Sequence, residues 1–282
     1  MAGLQNLKKQ LRSIRATGQL AGAMKTVSSA KYAKLGALHA AYAGYAQAAD
    51  RLRGRFGAEF AAALPCVNPA APEGYLVLSS NRGLCGGYNN ELLAEALRRL
   101  QAAARPCVVM TGGRVAEAFF QARRTPVRQS FRIPDVPGYA DVQPLCEELL
   151  RLFCAGELSA LYVVYQRFRN VLTQTPGCER LLPFGPAPQD DGPAQTAGQP
   201  ELLCLPDSRT VVRAAALTCF RAGVYSAVLE AASGAQAATM MAMRSAYDNA
   251  EESSARLELE LNRRRQSEVT AGVIETSSDY EQ

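Results

Sequence analysis

The sequence predicts an α/β protein: two long helices, one near each end, pair as an antiparallel coiled coil, and a middle α/β domain carries a mostly parallel sheet. Three observations predict it. The stretch from about Asp207 to Gln266 has no proline and places apolar residues in steps of three and four. The stretch from Leu4 to Phe56 does the same. Between them, short β-prone runs alternate with helical ones, the signature of parallel strands joined by crossover helices.

The first helix is marked by the stripe Leu4, Leu7, Leu11, Ile14 and, further on, Leu35, Leu38, Tyr42, Tyr45, Ala49, Leu52, Phe56, spaced as a coiled coil requires. The middle of this stripe is small: Gly18, Ala21, Gly22, Ala23, Ser28, Ser29, Ala30. Each glycine costs about 1 kcal/mol against alanine in a helix, so keeping two implies a slim rod there. No Asp or Glu precedes Asp50, whereas Lys8, Lys9, Arg12, Arg15, Lys25, Lys31 and Lys34 are basic. A helix of one sign is built to meet something acidic. A nucleic-acid arm would carry interleaved aromatics or base-reading side chains, which this helix lacks. A helix lying on a membrane surface would be shorter and bulkier on its apolar side. An acidic protein partner is the reading left.

Residues 1–56 are thus the N-terminal coiled-coil helix. Pro65, Asn68, Pro69 and Pro72 make 57–73 a linker. Residues 74–206 are the α/β domain. Its expected elements are a strand at Tyr75–Ser79, a helix from Asn89 to Ala104, a strand at Cys107–Thr111, a helix near Arg114–Arg123, and a strand near Val127–Ile133. A helix over Val142–Ala155, a strand at Ala160–Tyr165 and an antiparallel edge strand near Cys178–Leu182 complete it. Pro183–Pro200 has almost no large apolar residue and is expected to be a mobile loop.

The last segment, 207–282, is the C-terminal coiled-coil helix. Its stripe runs Leu217, Phe220, Val224, Val228, Ala231, Ala235, Ala238 and on through Met240, Met243, Tyr247, Ala250, Ser254, Leu257, Leu261. About sixty residues would form a rod roughly 90 Å long, which cannot bury its stripe alone. The first helix is the partner of matching length.

Composition narrows the function. Of 282 residues, 48% are hydrophobic and much of that is alanine, which favours helix over a dense aromatic core. No run approaches eighteen consecutive apolar residues, so no membrane span is expected, and the N-terminus lacks a secretory h-region. The eight cysteines include no CxxC pair and His39 is the single histidine, a poor supply for a metal site, so neither metal nor cofactor is expected. Reduced, buried thiols fit a cytosolic setting.

The most distinctive local run is Asn81-Arg82-Gly83-Leu84-Cys85-Gly86-Gly87, placed after a strand and before a helix. It could cradle a phosphate with backbone N–H groups, or be a tight strand-to-helix turn. It lacks both the GxGxxG order and the Gly-Lys-Ser/Thr of a phosphate-binding loop. Cys85 as a nucleophile would need His39, midway along a helical rod, as its base. The acids Glu147 and Glu148, and Glu251 and Glu252, are adjacent on different helix faces rather than convergent. No catalytic set is predicted.

Leu7-Lys-Lys with Arg12-Ser-Ile-Arg15, Ala23-Met-Lys-Thr-Val27 and Ala30-Lys31 resemble the start of the γ subunit family of F-type ATP synthases. So do Ser79 through Asn89, Tyr165-Gln-Arg-Phe-Arg-Asn170 with Leu181-Leu-Pro183, and Met241 through Ala250, in order from near residue 4 to about residue 270. The resemblance implies a bacterial-type central-stalk rotor, its coiled coil inside an α3β3 ring and its Rossmann-like domain a foot on the ε subunit and the c-ring of Fo. It implies a subunit that couples proton-driven c-ring rotation to ATP synthesis on β and makes no phosphate bond itself. That subunit is peripheral to the cytoplasmic face of the plasma membrane and binds no nucleic acid. It further implies that Met24 and Lys25 meet the acidic hinge loop of a β subunit, and that Arg265 and Gln266 meet another β loop. The run Arg82, Gly83, Cys85, Gly86, Gly87 is the foot's turn motif. A stand-alone Rossmann-like nucleotide-binding enzyme and a basic coiled-coil adaptor for nucleic acid are the alternatives.

Two departures stand out. Beyond Gln266 the family tip is mostly apolar, whereas here Val269, Val273 and Ile274 give way to the polar, acidic Glu275 to Gln282, which predicts fraying over the last eight or so residues. The loop Pro183–Pro200 also departs, in the region implied to meet the c-ring.

Overall fold

A computed structural model of the protein describes residues 2–185 and 207–279, and the side chains of residues 5–57, 59–185 and 207–270. The chain runs α1 (Ala2–Ala63), β1 (Glu73–Leu78), α2 (Tyr88–Ala102), β2 (Cys107–Gly112), α3 (Arg114–Ala122), β3 (Val127–Phe131), α4 (Tyr139–Cys154), β4 (Ala160–Phe168), β5 (Gln174–Leu182), α5 (Ser208–Asp279). It forms two compact units: Met1–Ser29 with Thr239–Gln282, and Ala30–Ala238.

In the larger unit the sheet order is β3-β2-β1-β4-β5. The first four strands are parallel, and β5 pairs antiparallel with β4 at the edge. Side chains alternate across each strand, so one run of residues serves two layers. Tyr75, Val77, Val109 and Val164 face Leu92, Leu93 and Ala96 of α2 and Ala116 and Phe120 of α3. Leu76, Leu78, Met110 and Val163 face the opposite layer, where Val142, Leu149 and Phe153 of α4 share a core with Leu35 and Phe60 of α1 and Phe220, Val224 and Leu229 of α5. Helix α5 is therefore buried nearly all round here, which accounts for its alanine content. One 18-residue window of α5 is apolar enough by composition to cross a membrane, at mean hydropathy 1.3, yet 56% of that window is buried inside the protein.

Within this unit α1 and α5 run antiparallel. His39 Nε2 lies 3.1 Å from Ser233 Oγ, the Tyr42 hydroxyl donates to the Ala222 carbonyl at 2.9 Å, and the Cys219 thiol donates to the Ala49 carbonyl at 3.2 Å, so partner numbers fall as α1 numbers rise. The Tyr42 and Tyr225 rings meet edge to face at 4.8 Å. In the smaller unit the same pairing is closer. A Cβ on Gly18 would sit 3.1 Å from the Ala250 Cβ, and one on Gly22 would sit 3.1 Å from the Tyr247 ring. The glycines are where the helices approach most tightly, the slim stretch that the sequence implied. Arg15 pairs with Glu258 beside them.

Helix α1 does not stop at Phe56, so the expected linker is shorter than 57–73. Phe60, fully buried, and Leu64 carry the stripe on by two more turns into the core under the sheet, and this burial outweighs the unfavourable propensity of Gly57. Helix α4 begins three residues earlier than expected. Asp141 accepts the Gly138 N–H at 2.8 Å, a local cap that sets the start ahead of Pro144. Strands β4 and β5 are also longer than expected, since their paired hydrogen bonds continue to Phe168 and Gln174 past the apolar run. Helix α5 continues to Asp279, through most of the stretch expected to fray. Polar residues lose only a few tenths of a kcal/mol each in a helix, so composition alone does not end one. The loop expected to be mobile lies, from residue 186, outside the described residues, as do Tyr280–Gln282.

Phe60→Ala is expected to destabilise the larger unit by about 3–5 kcal/mol in urea unfolding of the full chain. A residue in a linker would cost less than about 0.5 kcal/mol.

Candidate partner-contact surfaces

The turn that follows β1 is a knot of side chains rather than an open cradle. Asn89, buried on the first turn of α2, accepts the Ser80 N–H at 3.2 Å and donates to Ser80 Oγ at 2.7 Å and to Cys85 Sγ at 3.0 Å. Ser80 Oγ donates to the Arg82 carbonyl at 2.6 Å. Leu84 and Gly86 take positive φ, 65° and 59°, to close the loop. Across the strand ends, Gly113 sits at φ 99° where a Cβ would lie 2.2 Å from the Ser79 carbonyl, so only glycine lets the two loops meet. The Tyr88 hydroxyl then donates to the Ala231 carbonyl of α5 at 2.7 Å, and Gln166 Nε2 donates to the Tyr88 carbonyl at 3.0 Å.

A second line of contacts runs to α1. Asn81 Nδ2 donates to the Ile133 carbonyl at 2.7 Å and to Asp135 Oδ1 at 3.0 Å, and the other Asp135 oxygen pairs with Lys31 Nζ at 2.6 Å. Burial works to raise the Asp135 pKa. The hydrogen bonds from Lys31 and Asn81 and the charges of Lys31 and Arg82 outweigh it, and the carboxyl lies below its usual range. The turn thus fastens the sheet to both long helices.

Beneath the turn there is little room for a ligand. The space beneath the turn, lined by Ser79, Ser80, Asn81, Asp135 and Gln236, is about 40 Å³, whereas pockets for small ligands run to several hundred. Cys85 is buried and bonded to Asn89, and His39 is bonded to Ser233, so the two do not form a nucleophile and base.

Of the residues implied to touch a partner, Met24 and Lys25 lie half-exposed on α1, with the Lys25 ammonium 5.1 Å from the centre of the Tyr247 ring. That ring attracts the ammonium by about 0.5–1 kcal/mol. The outward neighbours Leu20 and Val27 are 62% and 54% exposed. Arg265 and Gln266 are exposed on α5. Arg264 pairs with Glu260 at 2.7 Å, while Arg265 makes no ion pair among the described residues. With Tyr247 beside Lys25, eighteen residues of α5 separate the two pairs, about 27 Å of helix. They lie in two separate stretches of the helix pair and do not form one site.

One surface was missed in the sequence. Because β1 to β4 are parallel, their C-terminal ends share an edge, and an arginine follows each: Arg82, Arg114, Arg132 and Arg169. None of the four forms an ion pair among the described residues, and the first three border a cleft of about 450 Å³. Exposed Leu84 and Leu172 lie in the same loops. An arginine within four residues of each predicted strand end was the available signal; it needed the parallel order to become a surface.

Residues 3–280 match the family model described as ATP synthase. The chain is 30% identical to the ATP synthase gamma chain of Rubrobacter xylanophilus over 285 residues, covering 100% of this chain and 98% of that one. It is 31% identical to the ATP synthase gamma chain of Moorella thermoacetica, covering 98% and 97%. In fold it is similar to a chain of the Euglena gracilis mitochondrial ATP synthase OSCP/F1/c-ring structure, with TM-score 0.63 and 15% identity over 98% of this chain and 93% of that one. A chain of the Tetrahymena thermophila central stalk and c-ring is similar at TM-score 0.58 and 16% identity, covering 80% and 99%.

The Asp135 contacts predict a pH dependence. A carboxyl lowered in the folded state contributes stability above its unfolded pKa, and that contribution is lost as pH falls through the lower, folded value. Lys31→Met should remove about 1–3 kcal/mol at neutral pH and flatten the loss of stability on acidification below pH about 4. Urea midpoints measured across that range for both proteins check it.

Proposed function

Because this chain belongs to the ATP synthase gamma-chain family, we propose that it is the central-stalk rotor subunit of a bacterial F1Fo ATP synthase, coupling proton-driven rotation of the c-ring to the catalytic cycle of the β subunits. It carries out no bond chemistry itself. Catalysis lies on β, and the chain sits at the cytoplasmic face of the plasma membrane as part of F1. The observation that carries this reading is the antiparallel α1–α5 pair, closed to glycine contact at Gly18 and Gly22 and presenting a basic stretch of α1 that holds no acid before Asp50. A slim rod whose α1 is basic and free of acids from Lys8 to Lys34 suits turning inside a sleeve of acidic loops better than packing into a fixed core.

Coupling by a rod requires unequal contact with the conformers of β, since a ligand shifts an equilibrium only by its differential affinity. Met24 and Lys25 on α1 and Arg265 and Gln266 on α5 are the contacts proposed for β loops. The lysine beside Tyr247 and the exposed Arg265 support this, because each offers a positive charge at the surface of the helix pair. The ε subunit and the c-ring are the partners proposed for the α/β unit. The turn from Arg82 through Gly83, Cys85, Gly86 and Gly87 serves that unit by locking the sheet to α1 and α5, so that a torque on the sheet reaches both helices. The arginine edge supports an acidic protein surface as a further contact.

Co-expression with α and β subunits tests the proposal. The expected product is a complex holding one copy of this chain per three α and three β subunits, with ATPase activity. Failure to co-purify with α3β3 that is otherwise competent overturns it. Within that complex, Lys25→Ala and Arg265→Ala should each slow ATP turnover by up to about fivefold, the loss of one exposed charge contact, and leave the thermal midpoint of the isolated chain unchanged.

A further inference from the structure

Between α1, the end of β4 and α5 lies a recess of about 480 Å³. Its walls are Tyr32 and Gly36 of α1, Phe168 of β4, and Glu230 and Ser233 of α5, with His39 at one side. The Tyr32 and Phe168 rings are tilted against each other at 5.9 Å. The one formal charge in the lining belongs to Glu230. Its carboxylate accepts the Phe168 N–H at 3.4 Å and forms no ion pair among the described residues. Arg167, whose charge reaches it, is held by Glu179 at 2.8 Å. Burial, and the nearby Glu179, push the Glu230 pKa up, while the Phe168 N–H and Arg167 oppose the shift.

An unpaired, half-buried carboxylate beside two aromatic rings is a receptor for positive charge. The carboxylate supplies a charge-assisted hydrogen bond, and the rings supply a negative face and an apolar wall. The volume is within the range of small-ligand pockets, and the mouth is open at Gly36, where an added Cβ would meet no atom within 4 Å. We propose that this recess binds a single organic cation, an alkylammonium or guanidinium group carrying an apolar or aromatic body, with Glu230 as the counter-charge and Tyr32 and Phe168 as the wall. The cation is a free amine or the lysine or arginine side chain of a neighbouring subunit; the recognition chemistry is the same.

Titration of the full-length chain with benzylammonium, followed by calorimetry and by ligand-observed NMR, tests it, with benzyl alcohol as the uncharged control. Saturable binding of benzylammonium is expected, weakened about tenfold or more by Glu230→Gln, while benzyl alcohol binds the two proteins alike. Gly36→Leu, on the open side and away from the carboxylate, is expected to fill the recess and abolish binding of both, with an unchanged circular dichroism spectrum. Absence of saturation, or equal benzylammonium affinity in Glu230→Gln, or full affinity in Gly36→Leu, overturns the proposal. Repeating the titration on the α3β3 complex separates the sources. A free amine still binds there, whereas a partner's side chain already in place excludes benzylammonium from the complex but not from the isolated chain.

Discussion

The antiparallel pairing of α1 and α5 is the constraint from which the rest follows. Neither helix can bury its own stripe, and each is too long for any other element of the chain to cover. Their pairing is made in two ways. In the smaller unit it depends on small residues, with Gly18 against Ala250 and Gly22 against the Tyr247 ring. In the larger unit it depends on bulk, with Leu35, Phe60, Phe220 and Leu229 in one core together with the sheet and α4. The helix propensity lost at the two glycines, about 1 kcal/mol each, is offset by the close approach they allow.

In the larger unit, the same pair is the platform on which the sheet is fixed. Two sets of polar contacts leave one turn. Tyr88 reaches the backbone of α5, and Asn81 reaches Lys31 of α1 through Asp135. Gly86 of that turn takes a positive φ, and the turn's buried amide, Asn89, satisfies the loop from within. A glycine-rich run between a strand and a helix can hold a ligand or hold the protein itself, and the direction of these donors and acceptors decides for the second. The turn thereby joins the sheet to both long helices.

Long-period features were legible in the sequence and local ends were not. The two helices, the alternation of strands and helices, the antiparallel edge strand and the slim stretch at Gly18 and Gly22 all show in spacing alone, because burial repeats with the period of the element. The end of α1 was misjudged because Gly57 and the prolines after it look like a break, while Phe60 and Leu64 are buried only once the sheet and α5 are in place. The Asp141 cap and the continuation of α5 through a polar stretch are similarly decided by a single hydrogen bond or by small propensity differences. Of the candidate surfaces, the basic α1 was visible as a lack of acids. The arginines at Arg82, Arg114, Arg132 and Arg169 are spread over almost ninety residues and converge only through parallel strand order. The recess at Glu230 joins residues from α1, β4 and α5, and no spacing along the chain announces it.

In the reading proposed above, the chain turns within a ring of catalytic subunits. Attaching a bead to the exposed Cys154 on α4, with the α3β3 ring of the assembled complex fixed to a surface, tests it most directly. ATP is expected to drive sustained rotation of the bead in one direction. ATP hydrolysis by the complex with the bead stationary would contradict it.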